Sequence, residues 1–421
     1  MWIEIALAGL IGCGSGEVSP EPAPKADPEP APVLEPKRHV MVIVIDTLRA
    51  EAVAKADTPN MDAVAKSGDA VELAWAAGTW TVPSVISMFS GMPVRQHGWN
   101  GSPGLANKFP SIAPMPLLAE VLTEHGFVST GLYANDFIDG KIGFSRGFDE
   151  WKRISDQLAV KESKRRIDSW DDGKRHFLYV HLLGPHSPLR PSDAAKQKYK
   201  LEEKWFGNAH GFLIGAAKRN QEPGIRKAYE DAYHAVTEDT DARVGELLAL
   251  LGDYREDTLV VITSDHGEMI DDHGFCGHGY WVWEELTHVP FIADGAGDLP
   301  ETLSTAAMPD VITSSLGLKH RWPVTRADAL PLVSEREGKT AVSPDGRYKG
   351  IWDKGFEVYD LEVDPTEGSP SEQQREAIHA AREAWEHRYP AGTLGEADVE
   401  LHPDTIKELE LLGYLDKETE K

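Results

Sequence analysis

Two runs constrain the fold of this chain more than any other feature: "HVMVIVIDT" and "DTLVVITSDHGE". In the first, Val40 to Ile45 is apolar without a break and rich in β-branched residues. A strand with one wet face alternates apolar and polar positions. An unbroken apolar run is covered on both faces, as in a parallel sheet between helices. The first run ends at Asp46, and the second delivers Asp265 and His266. Other segments fit the same plan. "DTPNMDAVAKSG" offers Thr58 as a cap, Pro59 at the first helical position and Gly68 as a stop. "PLLAEVLTEHGFVSTGLYAN" reads as a helix, a Gly126 stop and a strand, and "RHFLYVHLLGPHSP" as a strand opening at His186. Tyr229 to Leu251 reads as a long amphipathic helix. Alternating strands and helices predict an α/β fold with a mainly parallel sheet. Ligands of such sheets gather beyond the carboxyl ends of the strands, where Asp46, His186, Asp265 and His266 fall.

The 421 residues allow one large domain or two smaller ones. The formal charge of −26 argues against general nucleic-acid binding, which needs a basic face. An anionic substrate would then need a locally positive site, and a metal ion is the obvious supplier. There are two cysteines, Cys13 and Cys276. Cys13 follows a short apolar run in "ALAGLIGCGSG", the pattern of a bacterial lipoprotein signal, and the run is too short for a spanning helix. Residues 17 to 38 alternate Pro with Ala, Glu and Asp, which suits an extended tether. Together these predict a cell-envelope protein, membrane-bound only through lipid on Cys13. The alternative is a disordered tail without an anchor. The expected layout is a signal over 1–16, a linker over 17–38, a catalytic domain over 39–308 and a small C-terminal subdomain over 309–421.

Carboxylates leaving strand ends into one cleft repel each other unless a cation joins them. Asp46, Asp265 and His266 suit one divalent ion, with Ca²⁺ or Mn²⁺ favoured by the carboxylates and Zn²⁺ also possible. Alone, Asp46 is as well read as a cap and "SDHGE" as a turn. The segment "GTWTVPSVISMFSG" adds a hydroxyl, Thr81, at what reads as a helix start. Thr81 reads as a helix cap or as a nucleophile held over the metal, and is expected to cap the helix while also facing the ion. A helix N-terminus would supply it with a positive dipole and unpaired N–H groups. His278 lies in "GHG", close after the acidic block. The middle region, from Lys152 to about residue 228, is locally basic and carries Trp205 and Phe206; it reads best as a solvated helical insert. "GRYKGIWDKGFEVYDL" alternates like a β-hairpin turning at Lys354-Gly355, with Tyr359 and Leu361 as core residues.

"VIVIDTLRAE", "TPNMDAVAKSG", "TWTVPSVISMFSGMPVRQHG", "GFSRGFDEW", "YVHLLGPHSPLRPS", "TLVVITSDHGEMIDDHGFCGHGYWVWEELTHVPFI" and "YKGIWDKGFEVYDLEVDPTE" follow one another in the order of sulfatase blocks. The closing "IKELELLGYL" is similar to the tail of many bacterial members. The chain therefore resembles the sulfatase family of the alkaline phosphatase superfamily over about residues 39 to 415. The resemblance implies a three-layer sandwich and a small C-terminal α+β subdomain. It also implies Asp46, Asp265 and His266 as metal ligands and Thr81 at the nucleophile position, on the metal. His186 and His278 would contact the leaving group or the anionic centre, and Arg49 would lie near the first ligand.

The chain departs from the family where the chemistry is densest. The usual Cys-x-Pro-Ser-Arg block, whose Cys becomes formylglycine, is here Thr81-Val82-Pro83-Ser84-Val85. A second acid beside Asp46 is replaced by Thr47, Asn135 stands near the place of a common lysine, and Gly184 interrupts "HLLGPH". A threonine cannot become formylglycine, so a threonyl ester would have to be displaced by water, with His186 or His278 as general base. One metal and one arginine fewer favour a monoanionic centre: a sulfate ester, a phosphodiester or a phosphonate monoester, on a small molecule, glycan or lipid. Two other readings stand beside this one: a catalytically degenerate binding protein on the same fold, and a phospho-group transferase.

Overall fold

The structure is a computed structural model that describes residues 36–101, 108–206, 223–393 and 398–400. The lipoprotein-type signal with Cys13, the tether up to residue 35, part of the basic middle region and the closing "IKELELLGYL" lie outside the described residues.

A seven-stranded sheet forms the centre. Its spatial order is Asp69–Ala70, Phe291–Asp294, Thr258–Thr263, His39–Ile45, Arg175–Leu182, Phe127–Tyr133, Glu150–Arg153. The last five run parallel; at one edge Phe291–Asp294 runs antiparallel to them, and Asp69–Ala70 pairs antiparallel with that strand. The unbroken apolar run of the central strand has the expected cause. Val40, Val42 and Val44 join one core, with Val85, Ile86 and Phe89 of the helix Thr81–Ser90 and Leu118 and Leu122 of the helix Leu118–Glu124. Met41, Ile43 and Ile45 join the other, with Met61 and Val64 of the helix Pro59–Ser67 and Tyr229, Tyr233 and Leu247 of the long helix Ile225–Ala249. Both faces are covered by helices, so the domain has three layers.

Local details differ from expectation at the helix Pro59–Ser67. Thr58 occupies the cap position, but its hydroxyl donates to Val53 O at 3.1 Å. The exposed amides are met by Asp241 of the long helix, which accepts from Asn60 N at 3.1 Å and Met61 N at 2.8 Å. A charged acceptor from a packed neighbour replaces the local cap. Gly68 ends this helix at φ −114°, outside the left-handed region. It is needed because a Cβ there would meet Ala293 O at 2.2 Å. In the middle region the basic run of the helix Asp156–Ile167 is paired: Lys164 with Asp168, and Arg165 and Arg166 with Glu162. Trp205 is buried and Lys196 lies over the Phe206 ring.

The helix Met308–Ser315 places Met308, Val311 and Ile312 in the first core, so the chain is still part of the main layers there. A four-stranded antiparallel sheet follows: Leu332–Arg336, Lys339–Ser343, Tyr348–Trp352 and Phe356–Asp360. The hairpin that reverses over 353–355 is present, with Tyr359 in a third core beside Trp75, Val282 and Ile351, and Leu361 packed against it. The helix Arg375–Arg388 covers this sheet through Ile378 and Trp385.

Candidate functional site

The carboxyl ends of three neighbouring strands meet at one point. Asp46 directly follows His39–Ile45, His181 is the penultimate residue of Arg175–Leu182, and Asp265 and His266 follow Thr258–Thr263. The turn after Asp46 is tight: Thr47 is left-handed at φ 58°, an unusual conformation for a β-branched residue. It lets Thr47 N donate to Asp265 Oδ1 at 3.3 Å and Leu48 N to Ser264 Oγ at 2.9 Å. The Tyr233 hydroxyl donates to Thr47 O at 2.5 Å and accepts from Arg49 N at 3.1 Å. The two strand ends are thereby tied through backbone before any ligand is considered.

All four groups are completely buried. His181 Nε2 lies 3.3 Å from Asp46 Oδ2 and 4.0 Å from Asp265 Oδ2. His266 Nε2 lies 3.7 Å from Asp46 Oδ1 and 3.5 Å from Asp265 Oδ2. His266 Nδ1 is 2.9 Å from Gly267 O, a contact that places the ring proton on Nδ1 and leaves Nε2 as a lone pair. Asp46 Oδ1 and Asp265 Oδ2 have no hydrogen-bond partner, although both are buried. Acceptors that face one another in a dry site without donors lack something positive. Asp46, His181 and Asp265 form a set whose donor atoms lie within 4.8 Å of one another, and two carboxylates with imidazole nitrogen fit a divalent cation.

The charges point the same way. Burial opposes ionisation of Asp46, but His186, His181 and His266 outweigh it and hold Asp46 below the ordinary carboxylate range. Burial and the charge of Asp46 push Asp265 well above that range. Two buried carboxylates this close oppose each other's ionisation, and a cation between them would favour both charges.

Thr81 reaches this cluster from the helix Thr81–Ser90. The expectation that it caps the helix is corrected: the cap position belongs to Trp80, in extended conformation, and Thr81 is the first helical residue. Its hydroxyl is directed into the cluster, with Oγ1 at 3.4 Å from His266 Nε2 and accepting from Asn135 Nδ2 at 3.1 Å. The same Asn135 amide donates to Asp46 Oδ2 at 2.5 Å, and Asn135 Oδ1 accepts from Phe137 N. Asn135 therefore fixes the hydroxyl relative to the first acid.

His186 and His278 line the cluster. Their rings are 5.0 Å apart, and the His278 ring is 4.4 Å from that of His266. Burial lowers the pKa of His186. Burial also pulls His278 down, but Glu268 overrides it and the net shift is upward. Glu268 is fully buried beneath the hairpin Met269–Asp272 and Phe275–Gly277, with Oε1 3.1 Å from His278 Nδ1. Arg49, expected near the first ligand, follows Asp46 by three residues, and its side chain is engaged elsewhere. Its guanidinium is bonded to Asp272 and to Glu268 O and paired with Glu51 at 3.5 Å, because the hairpin supplies a carboxylate where the arginine emerges.

Of the predicted residues, His266 thus lies against Asp46 and Asp265, Thr81 joins them through His266 and Asn135, and the His278 ring lies against His266 with His186 beside it. Three others in the cluster, His181, Asn135 and Glu268, were not named as site residues, although Asn135 stands near the place of the family's lysine. A histidine near the end of an apolar strand, two residues after Tyr179, was the available signal for the first; Tyr179 OH lies 2.9 Å from His181 Nδ1. The placement of Asn135 and Glu268 depends on how distant segments fold together.

Comparison with known proteins agrees with this architecture. A family model described as Sulfatase matches residues 38–318. The arylsulfatase of Clostridium perfringens is 22% identical over 340 residues, 62% of this chain and 69% of that one. Arylsulfatase K of Rattus norvegicus is 22% identical over 314 residues, and the match spans 54% of its length. A structure solved in complex with its substrate D-glucosamine-2-N,6-O-disulfate aligns with a TM-score of 0.67 at 14% identity, covering 84% of this chain and 98% of that one. The phosphonate monoester hydrolase of Agrobacterium radiobacter aligns with a TM-score of 0.65 at 16% identity, covering 84% and 95%. At these identities the solved structures establish the fold.

Proposed function

This chain belongs to the sulfatase family, and from that premise we propose that it hydrolyses sulfate esters, or related monoanionic phosphodiester or phosphonate esters, with Thr81 as nucleophile. One observation carries the reading. The Thr81 hydroxyl, held by Asn135, converges with His266 on two buried carboxylates whose facing oxygens have no donors. Asp46, Asp265 and His266, joined by His181 and with Thr81 at the edge, would hold one divalent ion, with Ca²⁺ or Mn²⁺ favoured by the carboxylate oxygens. When bound, the ion would supply positive charge that lowers the proton affinity of the hydroxyl and offsets the charge of the ester.

The remaining work falls to side chains of the chain itself. Asn135 orients Thr81 Oγ. The oxygen bonds to sulfur or phosphorus while the bond to the ester oxygen breaks. His186 takes the hydroxyl proton, and His278, whose Nδ1 faces the Glu268 carboxylate, protonates the departing oxygen. Glu268, on Nδ1 of His278, leaves Nε2 as the nitrogen that serves the ester. Water then attacks the threonyl ester and gives its proton to the imidazole that protonated the departing oxygen, while the other imidazole returns its proton to Thr81 Oγ1 as the ester bond breaks. Arg49 is committed to Asp272, and Val85 is buried in the core without charge. That supports a monoanionic centre over a dianionic phosphomonoester. Solved structures on this fold include one with a sulfated glucosamine and a phosphonate monoester hydrolase, which supports sulfated sugars and phosphonate esters as the first substrates to assay.

The test is metal analysis of the full chain with an assay panel of aryl sulfate, bis-aryl phosphodiester and aryl phosphonate. The reading expects about one divalent ion per chain and turnover of at least one ester. Thr81→Ala should lose about 10⁴-fold or more in kcat while keeping its ion and its melting temperature. Turnover of none of the esters by a metal-loaded chain, or an active Thr81→Ala, would sink it.

A further inference from the structure

The C-terminal antiparallel sheet is more than a cover. Its first strand, Leu332–Arg336, runs beside the segment that leads into the Thr81 helix. Glu335 N donates to Ala77 O at 3.0 Å, and Glu335 forms a parallel bridge with Gly78. Glu335 Oε2 accepts from Arg95 N at 2.7 Å, tying the short helix Val94–His97 to the same strand. The next residue, Arg336, is 4% exposed. Its guanidinium reaches three separate pieces of chain. Nε donates to Gly279 O, Nη1 donates to Asn100 O at 2.6 Å, and Cζ sits 5.7 Å from the centre of the Trp80 ring.

Two of these three contacts touch the neighbour of a reacting group. Gly279 follows His278, and Trp80 precedes Thr81. Gly279 N in turn donates to Thr79 O at 2.9 Å, so the turn carrying His278 and the segment carrying Thr81 are already bonded to each other. Gly279 has φ +80°, which a residue with a side chain would adopt only under strain. The arginine therefore braces, through Gly279 O, a turn that Gly279 N already bonds to Thr79 O. A planar guanidinium can bond two carbonyls in different directions and lie against an indole at once; a lysine ammonium at the same place cannot do all three.

We propose that Arg336 is a positioning residue: from the C-terminal sheet it sets the His278 turn against the start of the Thr81 helix, so that proton donor and hydroxyl keep their relative placement. The proposal rests on the reading of Thr81 and His278 given above. It makes the C-terminal sheet a working part of the site, since the distance between two groups on the main domain depends on a side chain outside it. A misplacement of about 1 Å between reacting groups can cost about 10²-fold.

The experiment compares wild type, Arg336→Lys and Arg336→Met of the full chain on a series of aryl esters whose phenols differ in acidity. Glu337→Gln, which removes only the exposed ion partner 3.3 Å away, is the control. Both arginine variants should lose about 10- to 100-fold in kcat with KM within about threefold and ion content unchanged. The loss should grow as the phenol becomes less acidic, because a poorer leaving group depends more on a correctly placed proton donor. Glu337→Gln should match wild type. A loss independent of leaving group, a loss confined to KM, or no loss overturns the proposal while leaving the hydrolase reading intact. A wild type that turns over no ester overturns that reading, and this proposal with it. Should Arg336→Met fail to melt cooperatively, Arg336→Lys, which keeps the charge and most of the volume, decides.

Discussion

At their amino ends, the paired strands His39–Ile45 and Arg175–Leu182 bring His39 and His176 together; at their carboxyl ends they bring Asp46 and His181 together. The two ends use similar residues to opposite effect. His39 stacks on Trp170 with ring centres 4.7 Å apart and on His176 at 5.6 Å, with Tyr254 edge-on. His39 Nδ1 accepts from His176 N, and His176 Nε2 is 2.9 Å from Asp172 Oδ1. Each polar atom named there has a partner. At the other end, Asp46 Oδ1 and Asp265 Oδ2 face His266 Nε2 with nothing to share. A buried histidine is therefore no sign of a site by itself. The sign is a set of buried acceptors whose donors are missing, since a protein leaves such atoms unpaired only at a cost of about 1–3 kcal/mol each.

The comparison breaks most visibly at Asp46. Asp46→Asn keeps shape and volume but replaces an acceptor with a donor and removes the charge. It should strip the ion and lower kcat by about 10³-fold or more, with little change at the other end of the strand. Metal analysis together with kcat on the best aryl ester reads both effects. An Asp46→Asn protein that keeps its ion and its rate would mean that the unpaired oxygens are a packing accident, and the contrast between the two ends would vanish.

A smaller effect sharpens the contrast within the site. Glu268→Gln removes the carboxylate on His278 Nδ1 but leaves the four groups at the strand ends untouched. Partners of this kind are usually worth about 10- to 100-fold. The expected result is that loss in kcat with the ion retained, largest for poorly acidic leaving groups. If the ion is lost as well, Glu268 belongs to the cation's surroundings and not to the histidine, and its assignment changes.

What could be read in the sequence follows the range of the forces that place each group. Asp46, Asp265 and His266 were legible because an apolar strand that ends in an acid states its own direction and its own terminus. Thr81 was legible as a hydroxyl at a helix start, but its exact position was not: whether a residue caps a helix or begins it depends on one extended residue, Trp80, and on where the hydroxyl finds partners. His181 was hidden because it sits inside a strand buried on both faces, where period-two alternation carries no information. Asn135 and the bracing contacts of Arg336 join segments tens to hundreds of residues apart, and no local pattern encodes them; Glu268 meets His278 only ten residues on, but only because the intervening hairpin turns the chain back. Arg49 was expected near Asp46, but Asp272, more than two hundred residues later, claims its charge.

The smallest effect is expected at the amino-end stack, and it tests the comparison from the other side. Burial, with the charges of His176 and Arg38 adding to it, lowers the pKa of His39 to about 4 from the ordinary 6.5. The folded chain thus holds His39 neutral between those values while the unfolded chain takes up a proton. Stability must then fall as pH drops from 6.5 towards 4, and the dependence on His39 ends below that, where both states are protonated. His39→Asn keeps an acceptor for His176 N but cannot titrate. At pH 7.5 it should cost about 1 kcal/mol from the lost stacking, measured by urea unfolding, and that deficit should shrink as pH approaches 4. The remaining acid sensitivity would come from groups such as His97, buried and held at about 3. Turnover at pH 7.5 should stay within about twofold of wild type, because the stack communicates with the site only through two well-packed strands. A large loss of activity from His39→Asn would show that the two ends are coupled, and the distinction between a satisfied histidine cluster and a functional one would no longer hold for this molecule.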